Sequence, residues 1–171
     1  LQLCFAYFFF FKEPPAPQVQ HAPPGGAREC LIGTGMKPAA GRAPSRHNLQ
    51  AQELGRTLDV GCGIGRQLAW LAMGSVGVDH NPHSIEVARA AGLPAYTVEE
   101  FLASEHCEPG SFDALLLAHV VDHMTREEGL DVVRMYLPYL KPGGRGMFIV
   151  PQEVGFRSAH THVLFYHAEA L

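Results

Sequence analysis

Five short apolar runs punctuate the chain from residue 57 onward: Leu58–Val60, Val76–Val78, Ala95–Val98, Ala114–Ala118 and Gly146–Val150. Each is bounded by turn residues and is too short for a helix, so each reads as a buried strand. The stretches between them carry helical signals. Leu49 to Leu54 predicts a short helix leading into the first strand, and Gln67 to Ala72 has a helical composition. Asn81-Pro82 reads as a helix cap followed by proline in the first turn; Ile85, Ala88 and Ala91 then share one face, and Gly92 ends the helix. Glu99-Glu100 closes the third strand, and Glu105 to Gly110 is polar loop. Thr125-Arg126-Glu127-Glu128 fits a capping box, after which Leu130, Val133, Leu137 and Leu140 keep helical spacing up to the stop at Lys141-Pro142-Gly143-Gly144. Strands that alternate with helices define a doubly wound α/β sheet. Ala114-Leu115-Leu116-Leu117-Ala118 is a continuous apolar run of the kind found in central parallel strands.

The junction after the first strand is chemically distinctive. Asp59-Val60-Gly61-Cys62-Gly63-Ile64-Gly65-Arg66 places three alternate glycines between a strand and a helical stretch, with a carboxylate two residues ahead of them. Glycine lets the backbone turn sharply and lets a ligand lie almost on it, where a Cβ would stand in the way. A dinucleotide fingerprint, G-x-G-x-x-G, would need its third glycine at position 66, which holds Arg66. A second carboxylate, Asp79, ends the next apolar run about 20 residues on, where it can accept both ribose hydroxyls of a nucleoside.

Composition narrows the field. At 171 residues, 47% apolar and 18% charged, the chain suits one globular domain. A net charge of −4 gives no basic footprint for nucleic acid or an anionic membrane. Cys4, Cys30, Cys62 and Cys107 form no C-x-x-C pair, which speaks against a zinc or disulfide framework and for a reducing, cytoplasmic setting. No apolar run reaches the roughly 18 residues of a membrane span. Leu1 to Phe11 is apolar but has neither a basic lead nor a small-residue cleavage site, so it reads as a fragment end or translation artefact. Residues 12 to 48 are rich in Pro, Gly, Ala and Arg and are expected to be largely disordered, with Gly33-Thr34-Gly35 in loop. This divides the chain into an N-terminal extension, 1–48, and a domain, 49–171.

The pattern Asp-x-Gly-x-Gly-x-Gly at Asp59 to Gly65, with Ser111-Phe112-Asp113 before the fourth strand and Leu140-Lys141-Pro142-Gly143-Gly144 before the fifth, resembles the class I S-adenosylmethionine (SAM)-dependent methyltransferases. The segment His119-Val120-Val121-Asp122-His123 is similar to the end of the fourth strand in the family's small-molecule enzymes. The resemblance implies a Rossmann-like, mostly parallel sheet of about five strands in the order 3-2-1-4-5. It also implies that the family's closing sixth and seventh strands are missing, so the domain would be incomplete at its C-terminus with an exposed fifth-strand edge.

The resemblance implies SAM as cofactor and methyl transfer as the activity. Asp59, Gly61, Cys62, Gly63 and Gly65 would surround the methionine part, Asp79 would hold the ribose, and His80 would flank the adenine. Glu99 or Glu100 would accept from the adenine amino group, and Ala118 and His119 would pass beneath the reacting methyl. Cys62 serves there as a small residue and not as a nucleophile. His119 and His123 are the candidate catalytic residues, with His123 as general base, and Gln152 is an acceptor contact by position only. A metal reading of His119, His123, His160 and His162 lacks a known ligand spacing, so no metal is expected. The acceptor is expected to be a small molecule, because the Asn/Asp-Pro-Pro-aromatic segment of enzymes acting on nucleic-acid amino groups is absent. Two alternatives stand beside this reading: an NAD(P)-dependent oxidoreductase of the same fold, and a non-catalytic methyltransferase-like fragment that binds SAM weakly or not at all. Oligomeric state is not encoded in any recognisable signal.

Overall fold

The computed structural model describes residues 46–150 together with two short strands, β1 (Phe9–Phe10) and β2 (Leu31–Ile32). The expectations for the rest of 1–45, for Gln152 and for His160 and His162 lie outside the described residues. β1 and β2 pair antiparallel, and β1 runs close to the last strand of the main sheet.

That main sheet is parallel throughout and contains β3 (Thr57–Val60), β4 (Val76–Asp79), β5 (Ala95–Thr97), β6 (Phe112–Ala118) and β7 (Leu140–Ile149). Its spatial order is β5-β4-β3-β6-β7, which is the expected 3-2-1-4-5. Helices α1 (Arg46–Gln50), α2 (Pro82–Ala90), α3 (Val98–Leu102) and α4 (Arg126–Tyr136) accompany it.

Alternation along the strands builds a core on each face of the sheet. On one face Leu58, Val60, Leu115 and Leu117 pack with Phe101 of α3 and Tyr136 of α4. On the other, Ala114 and Leu116 pack with Met147, Ile149 and Leu49 of α1. Ile85 and Ala88 of α2 join Cys62, Leu68 and Ala95 in a third cluster. Both faces of β6 are thus buried, which explains its unbroken apolar run from Ala114 to Ala118.

The helix starts are set by side-chain caps. Asn81 accepts from the His83 N–H at 3.0 Å at the head of α2. At α4, Thr125 accepts from the Glu128 N–H while the Glu128 carboxylate accepts from the Thr125 N–H, the reciprocal box that the spacing predicted. Thr125→Ala is expected to cost about 1 kcal/mol, seen as a melting temperature lower by roughly 2–4 °C.

Three expectations are corrected. The stretch after the glycine turn is a 3-10 helix of one turn, Leu68–Trp70, and not an α-helix. After a single i→i+4 bond from Ala69 N–H to the Gly65 carbonyl, the bonds shorten to i→i+3, and left-handed Gly74 turns the chain into β4. Glu99 and Glu100 do not close β5 but open α3, because Thr97 is its cap and Glu100 the returning carboxylate. Finally, α4 ends at Tyr136, with Pro138 in a 3-10 turn, Leu137–Tyr139, since proline lacks the N–H that a longer α-helix needs. Leu140 already pairs with Phe112 across the sheet, and Lys141–Gly144 loop out before Arg145 pairs with Ala114.

Candidate functional site

In an open parallel sheet a ligand lies beyond the carboxyl ends of the strands, where the order of connection reverses. Here the chain runs β3, β4, β5 in one direction and then crosses back to β6, so the reversal lies between β3 and β6. Gly61 is seated at that point. Its N–H and that of Cys62 both donate to the Val78 carbonyl, at 2.8 and 3.1 Å, which ties the turn to the end of β4. Gly61 is left-handed (φ 74°), and a Cβ on it would lie 2.4 Å from Val120 Cγ2 in the segment after β6. Gly63 is left-handed too (φ 54°), but a Cβ there would meet nothing within 4 Å. One glycine lets two chain segments touch, and the other borders open space.

Two carboxylates stand at the ends of the neighbouring strands β3 and β4. Asp79 is 8% exposed and fully engaged: Oδ2 accepts from the Gly63 N–H and Oδ1 from the Asn81 N–H, both at 2.8 Å. His80 Nδ1 lies 3.4 Å from Oδ1, on a side chain that is 92% exposed. Asp59, by contrast, is 1% exposed, and among the described residues neither of its oxygens has a hydrogen-bond partner. Burial, then the nearby Asp79 charge, push its carboxyl up to about 7; the Leu68 N–H offsets part of this without closing a hydrogen bond. A buried, unpaired acid is costly to folding. Cys62 is buried in the α2 cluster, and burial followed by the Asp59 and Asp79 charges pushes its thiol far up. It is a small packing residue and not a nucleophile.

The other candidates are placed as follows. Glu100 is committed to structure: besides capping α3, it takes a bidentate contact from Arg89, which holds its carboxyl below the usual range. Glu99 is exposed one residue earlier on the same short helix. Ala118 ends β6, half-buried. His119, next in line, has φ 57°, an uncommon conformation for a non-glycine residue, while its N–H still donates to the Ile149 carbonyl at 2.8 Å. That left-handed step throws the chain out of the sheet and into a 3-10 turn, Val121–His123. Asp122 is buried there, with Oδ2 3.6 Å from Nε2 of His123. Among the described residues no group of three or more His, Cys, Asp or Glu side chains converges as metal ligands.

Asp59, the glycine turn and Asp79 are therefore brought together, with the β6 exit beside them through Val120. Sequence reasoning missed three features: the Asn81 N–H that fixes Asp79, the buried Asp122, and the left-handed His119. Only the first had a readable signal, an Asp-x-Asn-Pro pattern at a strand end.

A family model for a methyltransferase domain matches residues 58–148, more than half of the chain, and the chain belongs to that family. The solved structure of a SAM-dependent methyltransferase from Archaeoglobus fulgidus is 23% identical, with 73% of this chain and 64% of that one covered and a TM-score of 0.56. A SAM-dependent methyltransferase from Mesorhizobium loti is 24% identical over 61% of this chain and 53% of its own, with a TM-score of 0.46. A TehB-like enzyme from Corynebacterium glutamicum is 23% identical over 60% of each chain, also at 0.46. The chain thus spans less than two thirds of the length of these structures. No curated protein matches it. The fold is that of a class I SAM-dependent methyltransferase.

Proposed function

We propose that the domain binds SAM at the carboxyl ends of β3 and β4 and transfers its methyl group to a small-molecule acceptor. The observation that carries this reading is Asp59: a buried carboxylate with no partner, two residues ahead of Gly61 and beside Asp79. A ligand with an ammonium group next to a nucleoside answers both acids at once. Asp59 takes the ammonium, and the turn at Gly61, Cys62, Gly63 and Gly65 receives the methionine part. Asp79 accepts the ribose hydroxyls, exchanging the Gly63 N–H for them, and exposed His80 flanks the adenine. Glu99 is the better acceptor for the adenine amino group, since Glu100 is held by Arg89 and Thr97.

SAM supplies a sulfonium methyl that an in-line nucleophile displaces, so the protein's task is alignment more than chemistry. In this reading Ala118 and left-handed His119 lie beneath the reacting centre, and His123, in the turn after β6, takes a proton from the acceptor. The acidic balance of the chain supports a small acceptor over a nucleic acid. No described helix is long and apolar enough to cross a membrane. The free thiols Cys62 and Cys107 fit a reducing compartment, which supports the cytoplasm. We assign the domain to 49–171 and treat 1–48 as an extension.

Calorimetric titration with S-adenosylhomocysteine (SAH), with NAD as control, tests the reading. Micromolar SAH binding is expected, and Asp79→Ala is expected to weaken it ~100-fold or more, because two charge-assisted hydrogen bonds are each worth about 1.5–3 kcal/mol. A folded chain that ignores SAH overturns the proposal, and one that prefers NAD favours the oxidoreductase alternative.

A further inference from the structure

We propose that cofactor capture here is a proton exchange: the ammonium group docks on Asp59 as the carboxyl releases its proton to solvent. The amino-acid part of the cofactor then binds more tightly as pH rises, and the nucleoside part does not. The inference rests on the SAM-binding reading above and concerns how that site is regulated.

Its basis is the unequal environment of two neighbouring acids. Asp79 has a backbone N–H on each oxygen. Asp59, on the adjacent strand, has none on either. A charge on Asp59 would be buried without a partner and near the Asp79 carboxyl, so Asp59 keeps its proton. The surroundings offer no relief. Asp59 lies level with Gly77 of β4 and Leu116 of β6, neither of which titrates. The 3-10 helix presents the Leu68 backbone, and α1 turns Leu49 to this side of the sheet. Among the described residues, the titratable groups facing Asp59 are Asp79 and Cys62, and the thiol stays neutral. His80 lies on the outer, exposed side of Asp79. An upward-shifted Asp59, at about 7, agrees with this picture. An incoming ammonium reverses the balance, because the ionised form then gains a buried partner.

The test is titration of the full chain with SAH at about pH 6 and about pH 8, in buffers of different ionisation enthalpy, with 5′-methylthioadenosine in parallel. SAH affinity is expected to rise about tenfold between the two, with close to one proton released per SAH at the lower pH. 5′-Methylthioadenosine, which lacks the ammonium, should change less than about twofold. His80→Gln should retain the proton release, which separates Asp59 from the nearby imidazole. In the free protein, an infrared carbonyl band of a neutral carboxyl should titrate near neutrality and vanish in Asp59→Asn. SAH binding with no pH dependence and no proton release overturns this proposal alone. Failure of SAH to bind a folded chain at either pH overturns the cofactor reading and this proposal with it.

Discussion

Asp59→Asn is expected to melt higher than the unmodified protein above neutral pH while losing SAH. The physical reason is the cost of ionising a buried acid. In the unfolded chain this carboxyl titrates near its ordinary 3.8, and in the folded chain near about 7. Between those values the folded state holds a proton that the unfolded state has released, so stability falls as pH rises through the window. Below it both states are protonated and nothing is lost; above it the full cost, on the order of 4 kcal/mol, is in place. The side chain is 1% exposed, so solvent screening removes little of this. Asparagine has the same shape and no charge, but leaves its amide short of partners, so the net gain is about 2–3 kcal/mol at about pH 8. That is a melting temperature higher by roughly 5–10 °C, with the gap closing toward about pH 4. The difference between the two proteins is the quantity to follow. Glu100, held down by Arg89, Asp113, held down by Lys141, and Glu128, held down by the Thr125 N–H, titrate with the opposite sign in both. Equal melting curves across the range would show that Asp59 is paired in solution. A site that weakens its own domain until a ligand arrives is how a binding group differs from a packing group.

The strands were legible as buried segments, Leu115, Leu116 and Leu117 most plainly, whereas their order 3-2-1-4-5 follows from the family resemblance and not from the apolar pattern. The Asp59–Gly65 turn and Asp79 were readable because backbone turning and charge need particular residue types. What escaped reading depends on partners distant in sequence. Thr97 looked like the third residue of a strand, and it is one, yet its hydroxyl also caps α3; the T-x-x-E spacing was present but lay inside an apolar run. Leu140 kept helical spacing with Leu137, and its pairing with Phe112 comes from a register no local pattern encodes. Asp59 was identifiable as a candidate, but its lack of a partner among the described residues is a tertiary fact. So is the left-handed backbone of His119, a residue type that gives no hint of it.

Gly61→Ala and Gly63→Ala should separate the two duties of the turn. Both residues are left-handed, and a side chain in that region costs about 1–2 kcal/mol. At Gly61 the new methyl would also stand 2.4 Å from Val120 Cγ2, so Val120 and the segment it belongs to must move. Such overpacking adds about 1–3 kcal/mol, for a total near 3 kcal/mol and a melting temperature lower by roughly 6–12 °C. Because Val120 leads directly to the turn carrying His123, the displacement reaches the acceptor side of the site as well. At Gly63 the methyl meets no protein atom, so the loss is confined to the backbone term. Yet that methyl extends into the open space bordering the turn, where the ligand is to sit. Gly63→Ala should therefore remain folded, within about 1–2 kcal/mol of the parent, and lose SAH affinity by ~100-fold or more. Melting curves and SAH titrations of the two variants decide the matter. If Gly63→Ala binds SAH as the parent does, the open space beside that glycine is not the cofactor's, and the ligand must approach the two carboxylates from elsewhere.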